Sequence, residues 1–141
     1  MEAVPTALVR LRGQYTLTDG EILVSPSSFD PVYAVGQPLL RRPRHQGALT
    51  AQVGDRRASV AATVVAVGRR ADSDFVGLGL GENEGYTRVD ARARVRVTGG
   101  LEAFVAVENL FDLVYQEPLG YPALGRAVRA GLRWRTGTVR P

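Results

Sequence analysis

Chemistry in this chain has to come from arginine, a few carboxylates and one histidine. Its 141 residues carry 18 basic side chains, every one of them Arg, against 14 acidic ones, for a net charge of +4. With no Cys there is no thiolate nucleophile, no disulfide and no thiolate metal site, and a lone His45 excludes a multi-histidine metal centre. No nucleophile stands beside a base, so His45, two residues after Pro43, reads as a polar residue at the entry to a strand. Asp72, Asp74, Glu82 and Glu84 crowd one stretch as a hard cation would require. Their spacing matches no EF-hand, and they read as a solvated loop. Asn109 to Asp112 is conspicuously polar amid an apolar stretch. It reads as a strand-end turn in which Asn and Asp bond their own backbone. Gly125-Arg126 reads as a close backbone approach in preference to an anion site. The sequence assigns no catalytic residue, no cofactor and no metal ligand, and the chain is expected not to be an enzyme.

The arginines are the remaining chemistry. Arg10 and Arg12, then Arg92, Arg94 and Arg96, then Arg129, Arg133 and Arg135 recur at every second or fourth position. A basic balance invites nucleic acid. These arginines, however, never run longer than two in a row and are interspersed with acids, the pattern of ladder pairs with Asp90, Glu102 or Glu108 on neighbouring strands. Nucleic acid is therefore not an expected partner.

The elements that must position these rows are strands, because the dominant hydrophobic period is two. Val9, Leu11, Gly13, Tyr15 and Leu17 alternate with Arg10, Arg12, Gln14, Thr16 and Thr18. Gly47 to Val53 turns at Gly54-Asp55-Arg56-Arg57 and returns from Ala58 to Gly68; Asp90 to Val97 turns at Thr98-Gly99-Gly100 and returns from Glu102 to Asn109. Arg126 to Arg135 makes a last strand. The short connections fall at one end, and the long ones, about Glu21 to Arg44, Arg69 to Gly85 and Leu113 to Leu124, at the other. The longest apolar run, Ala58 to Val67, is of strand length, and Met1 to Pro5 shows no signal-peptide pattern.

Six strands of about ten residues with tight turns at one end and long loops at the other suit a transmembrane β-barrel. Its lumen would receive Arg92, Arg94, Arg96, Arg129 and Arg133, since in lipid each Arg near the midplane costs roughly 2–4 kcal/mol. Tyr15, Tyr86, Phe104, Phe111, Tyr115 and Trp134 are candidate interface aromatics. The alternation is equally compatible with a small soluble antiparallel barrel that binds an anionic ligand or single-stranded nucleic acid on its Arg face.

Four stretches resemble the carboxy-terminal part of TonB-dependent outer-membrane receptors of the cobalamin and siderophore type. Leu39-Leu40-Arg41-Arg42-Pro43-Arg44-His45 resembles the family's entry to a barrel strand. Val67-Gly68-Arg69-Arg70-Ala71-Asp72-Ser73-Asp74-Phe75 is similar to its strand exit, and Gly85-Tyr86-Thr87-Arg88-Val89-Asp90 to the start of a late strand. The most specific is Val107-Glu108-Asn109-Leu110-Phe111-Asp112, followed by Tyr115, Gly120-Tyr121-Pro122, Gly125-Arg126 and Gly131-Leu132-Arg133.

The resemblance implies an all-β antiparallel meander, the last six strands of a barrel of about 22 strands. Residues 1–136 would be barrel segment and 137–141 a tail. Arg42, Pro43, His45, Gly68, Arg69, Asp90, Asn109, Leu110, Phe111, Asp112, Tyr115, Gly125 and Arg126 would be structural motif residues. It also implies outer-membrane lipid, the plug and upstream strands of a parent receptor, and through that parent the TonB system as partners, in the outer membrane of a Gram-negative bacterium. No plug domain, TonB box or terminal aromatic is seen, so the expectation is a fragment that is inactive in cobalamin or siderophore uptake by itself.

Overall fold

A computed structural model describes residues 8–26, 29–73 and 79–135 of the chain. Residues 1–7, the 137–141 tail and Asp74 lie outside the described residues. The alternating stretches form β1 (Leu8–Leu17), β2 (His45–Gly54) and β3 (Ala58–Val67); β4 (Arg70–Asp72) and β5 (Gly81–Asn83) follow, then β6 (Tyr86–Arg96), β7 (Leu101–Glu108) and β8 (Ala127–Trp134). Six of them pair in the order β1-β2-β3-β6-β7-β8, every neighbour antiparallel, in an open sheet. This is the expected meander, and it does not close on itself.

The ladder registers put most of the large apolar side chains on one side. Leu11 stands opposite Ala51, Ala51 opposite Ala62, Ala62 opposite Ala91, Ala91 opposite Val107, and Val107 opposite Val128. Opposed residues share a face and the side-chain period is two. Val9, Tyr15, Leu49, Val53, Val60, Val64, Val95, Val105, Leu132 and Trp134 therefore lie on the same side, all exposed. Leu132 is 70% and Leu11 68% exposed, while the buried apolar residues among those described are Val32 and Ala61 alone. The sheet thus has no hydrophobic core of its own. Its apolar face is left uncovered, and its strands run 8 to 11 residues. No described helix is long and apolar enough to cross a membrane, which says nothing of strands.

The short β2–β3 and β6–β7 turns fall at one end of the sheet and the long connections at the other, as the sequence implies. In the first turn the Asp55 carboxylate accepts the Arg57 and Ala58 backbone N–H groups at 2.7 and 2.9 Å. Those two donors hold its pKa below the ordinary value.

Two expectations need correction. The stretch Arg69 to Gly85 is not all loop, because β4 and β5 pair within it as a small separate ribbon, Ala71 opposite Glu82. Three-residue strands carry too few alternations to show a period. The aromatic girdle also dissolves in part. Tyr15 and Trp134 stand on the apolar face, but Tyr86 lies opposite Val67 and Phe104 opposite Gly131, both on the polar side.

Candidate functional site: an arginine wall and a three-loop clasp

The polar face carries the arginines of the strand rows, Arg10 and Arg12 of β1, Arg92, Arg94 and Arg96 of β6, and Arg129 and Arg133 of β8. Arg92 and Arg94 lie opposite Ala106 and Phe104, Arg96 opposite Glu102, and Arg129 and Arg133 opposite Ala106 and Glu102. Glu102 takes both Arg94 Nη1 at 3.1 Å and Arg133 Nη1 at 3.2 Å, and Glu108 pairs with Arg129. Arg94 Nε also donates to Ser59 Oγ at 2.9 Å, and the Arg133 guanidinium lies 5.8 Å from the centre of the Phe104 ring. A groove of about 320 Å³ runs over this patch, lined by Gln52, Ser59, Arg92, Arg94, Phe104 and Arg133 among others. The wall is polar and in part cross-paired, for Arg88, Arg94, Arg129 and Arg133 meet carboxylates, and it keeps an excess of arginine.

At the long-loop end a denser assembly joins segments far apart in sequence. Asp72 closes β4 and is fully buried. Its carboxylate accepts Arg41 Nε from the first long loop at 2.9 Å, its neighbour Ser73 N at 2.9 Å, and Leu119 N from the third long loop at 2.7 Å. Burial pushes the Asp72 pKa up, but the Arg41 bond and the two backbone donors outweigh it and hold the group below its ordinary 3.8. Arg41 adopts φ 58°, a left-handed conformation, and its hydrogen bond with Asp72 raises its own pKa.

Two further buried side chains of the ribbon reach the same third loop. Arg70 Nη2 donates to the carbonyls of Gln116, at 2.9 Å, and Glu117. Asn83 Nδ2 donates to the Glu117 carbonyl at 2.9 Å. Tyr86 Oη donates to the Glu117 carboxylate and its ring lies 4.1 Å from that of Tyr115. Arg88 Nη1 donates to Tyr115 Oη at 2.8 Å and Nη2 to Asp90 at 3.2 Å. Arg41, Asp72, Asn83 and Glu117 thus tie all three long connections into one body.

The motif residues fall into place as structural parts. His45 opens β2, its Nδ1 hydrogen bonded to Tyr15 Oη at 2.7 Å. Arg42, just before Pro43, is exposed, and Arg69 is an exposed partner of Glu82 at 3.5 Å. A Cβ on Gly68 would stand 2.9 Å from the His45 carbonyl, so the chain leaving β3 passes the start of β2 too closely for a side chain there. Asn109 is buried; its backbone N–H donates to Asp90, its Nδ2 to the Leu113 carbonyl, and its Oδ1 accepts Leu113 N. Leu110 N extends the pairing to the Val89 carbonyl at 2.8 Å, while Phe111 is exposed. Asp112, with φ 56°, accepts Arg126 N at 2.6 Å, and a Cβ on Gly125 would come within 2.7 Å of that carboxylate. Asn109 and Asp112 therefore build a turn, not a ligand cup. Asp72 and Glu82, weighed as cation ligands, are both committed to arginines.

Arg70, Asn83, Arg88, Gln116 and Glu117 were not singled out from sequence. Arg70 and Asn83 stand in strands too short to read, and Gln116 and Glu117 in a long connection, whereas Arg88 continues the alternation of Asp90, Arg92, Arg94 and Arg96 in β6. The signal that could have found Arg88 is that alternation; Arg70 and Asn83, both buried, carried none.

No protein-family model and no curated protein matches the sequence. Solved structures do resemble the fold. The siderophore receptor PiuA from Acinetobacter baumannii superposes with a TM-score of 0.73 at 19% identity, over 89% of this chain and 19% of that one. The ferric-catecholate import receptor Fiu of E. coli gives 0.67 at 24% identity, over 89% and 18%. The ferripyoverdine receptor of the outer membrane of Pseudomonas aeruginosa gives 0.61 at 22%, over 70% and 15%. The chain therefore spans less than a fifth of the length of each. The class that the fold defines is a six-stranded segment of a large β-barrel wall with its long loops at one rim.

Proposed function

We propose that this chain is wall and rim of a TonB-dependent receptor in the outer membrane of a Gram-negative bacterium. Its apolar face meets lipid, its arginine face meets the lumen, and its three tied loops stand outside the cell. The observation that carries this reading is the uninterrupted, uncovered apolar face on an open sheet whose opposite face is an Arg–Glu ladder. In water such a face would be an exposed patch far beyond what soluble monomers tolerate. In lipid it is the required surface. The cargo we favour is an iron–siderophore complex, because the neighbours described above are siderophore receptors. Cobalamin, the other class the sequence resembles, has no counterpart among those three. Cargo capture would fall to the rim loops, which a rigid wall carries. Uptake would require the plug, the remaining strands and TonB, so the chain by itself is inactive in transport.

The test is expression of the chain alone, followed by light scattering and far-ultraviolet circular dichroism in buffer and in detergent. Aggregation in buffer with β-structure recovered in detergent is the expected result. A monodisperse, cooperatively unfolding β-protein in plain buffer would sink the membrane reading and favour a soluble Arg-faced barrel.

A further inference from the structure

The polar face carries more positive charge than it neutralises. Its strands hold the carboxylates of Asp90, Glu102 and Glu108, which meet Arg88, Arg94, Arg129 and Arg133. Arg10, Arg12, Arg92 and Arg96 meet no carboxylate among the described residues. Position separates these four. Arg10 and Arg12 stand on the edge strand β1, and Arg96 ends β6 beside the short turn. Arg92 stands inside the sheet with an alanine on either side in the ladders, Ala61 of β3 and Ala106 of β7. Neighbours that short leave open space about its guanidinium, and two grooves meet there. The groove of about 320 Å³ over Phe104 extends toward Arg94, and a second, of about 400 Å³, toward Asp90 and Arg12; Ala61, Arg92 and Ala106 line both.

In the first groove Arg92, Arg94 and Arg133 are three guanidiniums around one carboxylate, Glu102, which is committed to the latter two at 3.1 and 3.2 Å. Ser59 fixes Arg94 further, and the Phe104 ring lies across Gly131, where a Cβ would stand 2.9 Å from its Cζ. The groove therefore offers an uncommitted guanidinium, surplus positive charge and a held aromatic ring. Its volume suits a ligand of one ring, at the lower end of small-molecule pockets of ~300–1,000 Å³. We propose that it is an anion-binding site for a small molecule that bears oxyanion groups on a planar ring. Arg92 takes an oxyanion through two parallel N–H donors, and the ring lies against Phe104. This inference rests on the barrel-wall reading, in which the groove opens to the lumen, and adds to it the class of cargo the lumen admits, one that is anionic and ring-bearing.

The full chain, refolded in detergent with its β-structure checked by circular dichroism, is titrated calorimetrically with trimesate, a benzene ring carrying carboxylates. Trimesate is expected to bind, and Arg92→Gln to weaken it by about tenfold, the loss of a charge-assisted pair. Arg92→Lys, which keeps the charge without the fork, should fall between the two. A drop of about fivefold is expected for trimesate on Phe104→Leu, and for tricarballylate, which has the same charge and no ring, on the native chain. Arg10→Gln removes an arginine that likewise meets no described carboxylate but lies outside the groove, and it should leave the affinity unchanged. Equal losses from Arg10→Gln and Arg92→Gln would mean diffuse attraction to a basic face. A triglutamate peptide that binds as tightly as trimesate would put an acidic protein face there. Either result, or no binding of trimesate, would overturn the proposal while leaving the barrel-wall reading intact. Failure of the chain to gain β-structure in detergent before any ligand is added would overturn both.

Discussion

Two polar assemblies hold this chain together, and they are built on opposite principles. The arginine wall pairs residues on adjacent strands, in contact with solvent; Arg129 and Glu108 are 64% and 47% exposed. The rim clasp pairs residues 31 to 47 positions apart, around a carboxylate with no exposure at all. An exposed ladder pair contributes little because water competes for both partners. A buried acceptor matters more, because its donors have nowhere else to go. The wall therefore tolerates change one residue at a time, while the rim depends on single side chains.

The largest expected effect lies in the clasp. Asp72→Ala strands the Leu119 and Ser73 N–H groups and releases Arg41, and we expect a loss of about 2–3 kcal/mol of loop stability. Hydrogen exchange of rim amides in detergent should rise in all three long connections at once, with the strands unchanged. Exchange confined to the β4–β5 ribbon would mean that the three loops are not one body.

Asn109→Ala comes next. It removes both side-chain bonds to Leu113 and places a Cβ-bearing residue without a compensating amide at φ 52°. We expect about 2 kcal/mol, seen as faster exchange at the β7–β8 connection only. A spread to the ribbon would show that the turn and the clasp are a single unit.

Acid sharpens the same contrast. Because the folded pKa of Asp72 lies below 3.8, the stability it contributes is present above that pH and is lost as pH falls through the folded value. Rim exchange, corrected for its intrinsic pH dependence, should stay constant from neutrality to about pH 4 and rise below it. The nearly isosteric Asp72→Asn should abolish this pH dependence. Persistence of the acid step in that variant would assign it to another carboxylate.

The smallest effect belongs to the wall. Arg129→Ala breaks the pair with Glu108 and should change detergent-state stability by less than about 1 kcal/mol. A loss as large as that of Asp72→Ala would mean that the ladder, not the rim, is the fragile part.

The division between what was legible and what was not follows these two assemblies. β1, β2, β6 and β8 announced themselves through alternation, and β3 and β7 as the returning arms of hairpins. The boundaries of β1 and β3 came within one residue, and the arginines of the rows all reached one face, because a period of two forces that outcome once the strands pair in register. The Asn109–Asp112 turn was legible too, since its bonds are local and depend on residue type. The ribbon, the burial of Asp72 and the reach of Arg70 to Glu117 were not, for they join segments whose proximity no local pattern encodes. The aromatics divide likewise. Tyr15 and Trp134 sit at apolar positions, whereas Tyr86 and Phe104 fall on the polar face by parity that a count along the strand would have revealed.

Alternation and turn chemistry, both short-range properties of the chain, determined the strands, their two-sidedness and the placing of long loops at one end. Tertiary structure alone decided which loop side chains meet, because a buried ion pair forms only when the sheet has carried its partners together and excluded water from between them.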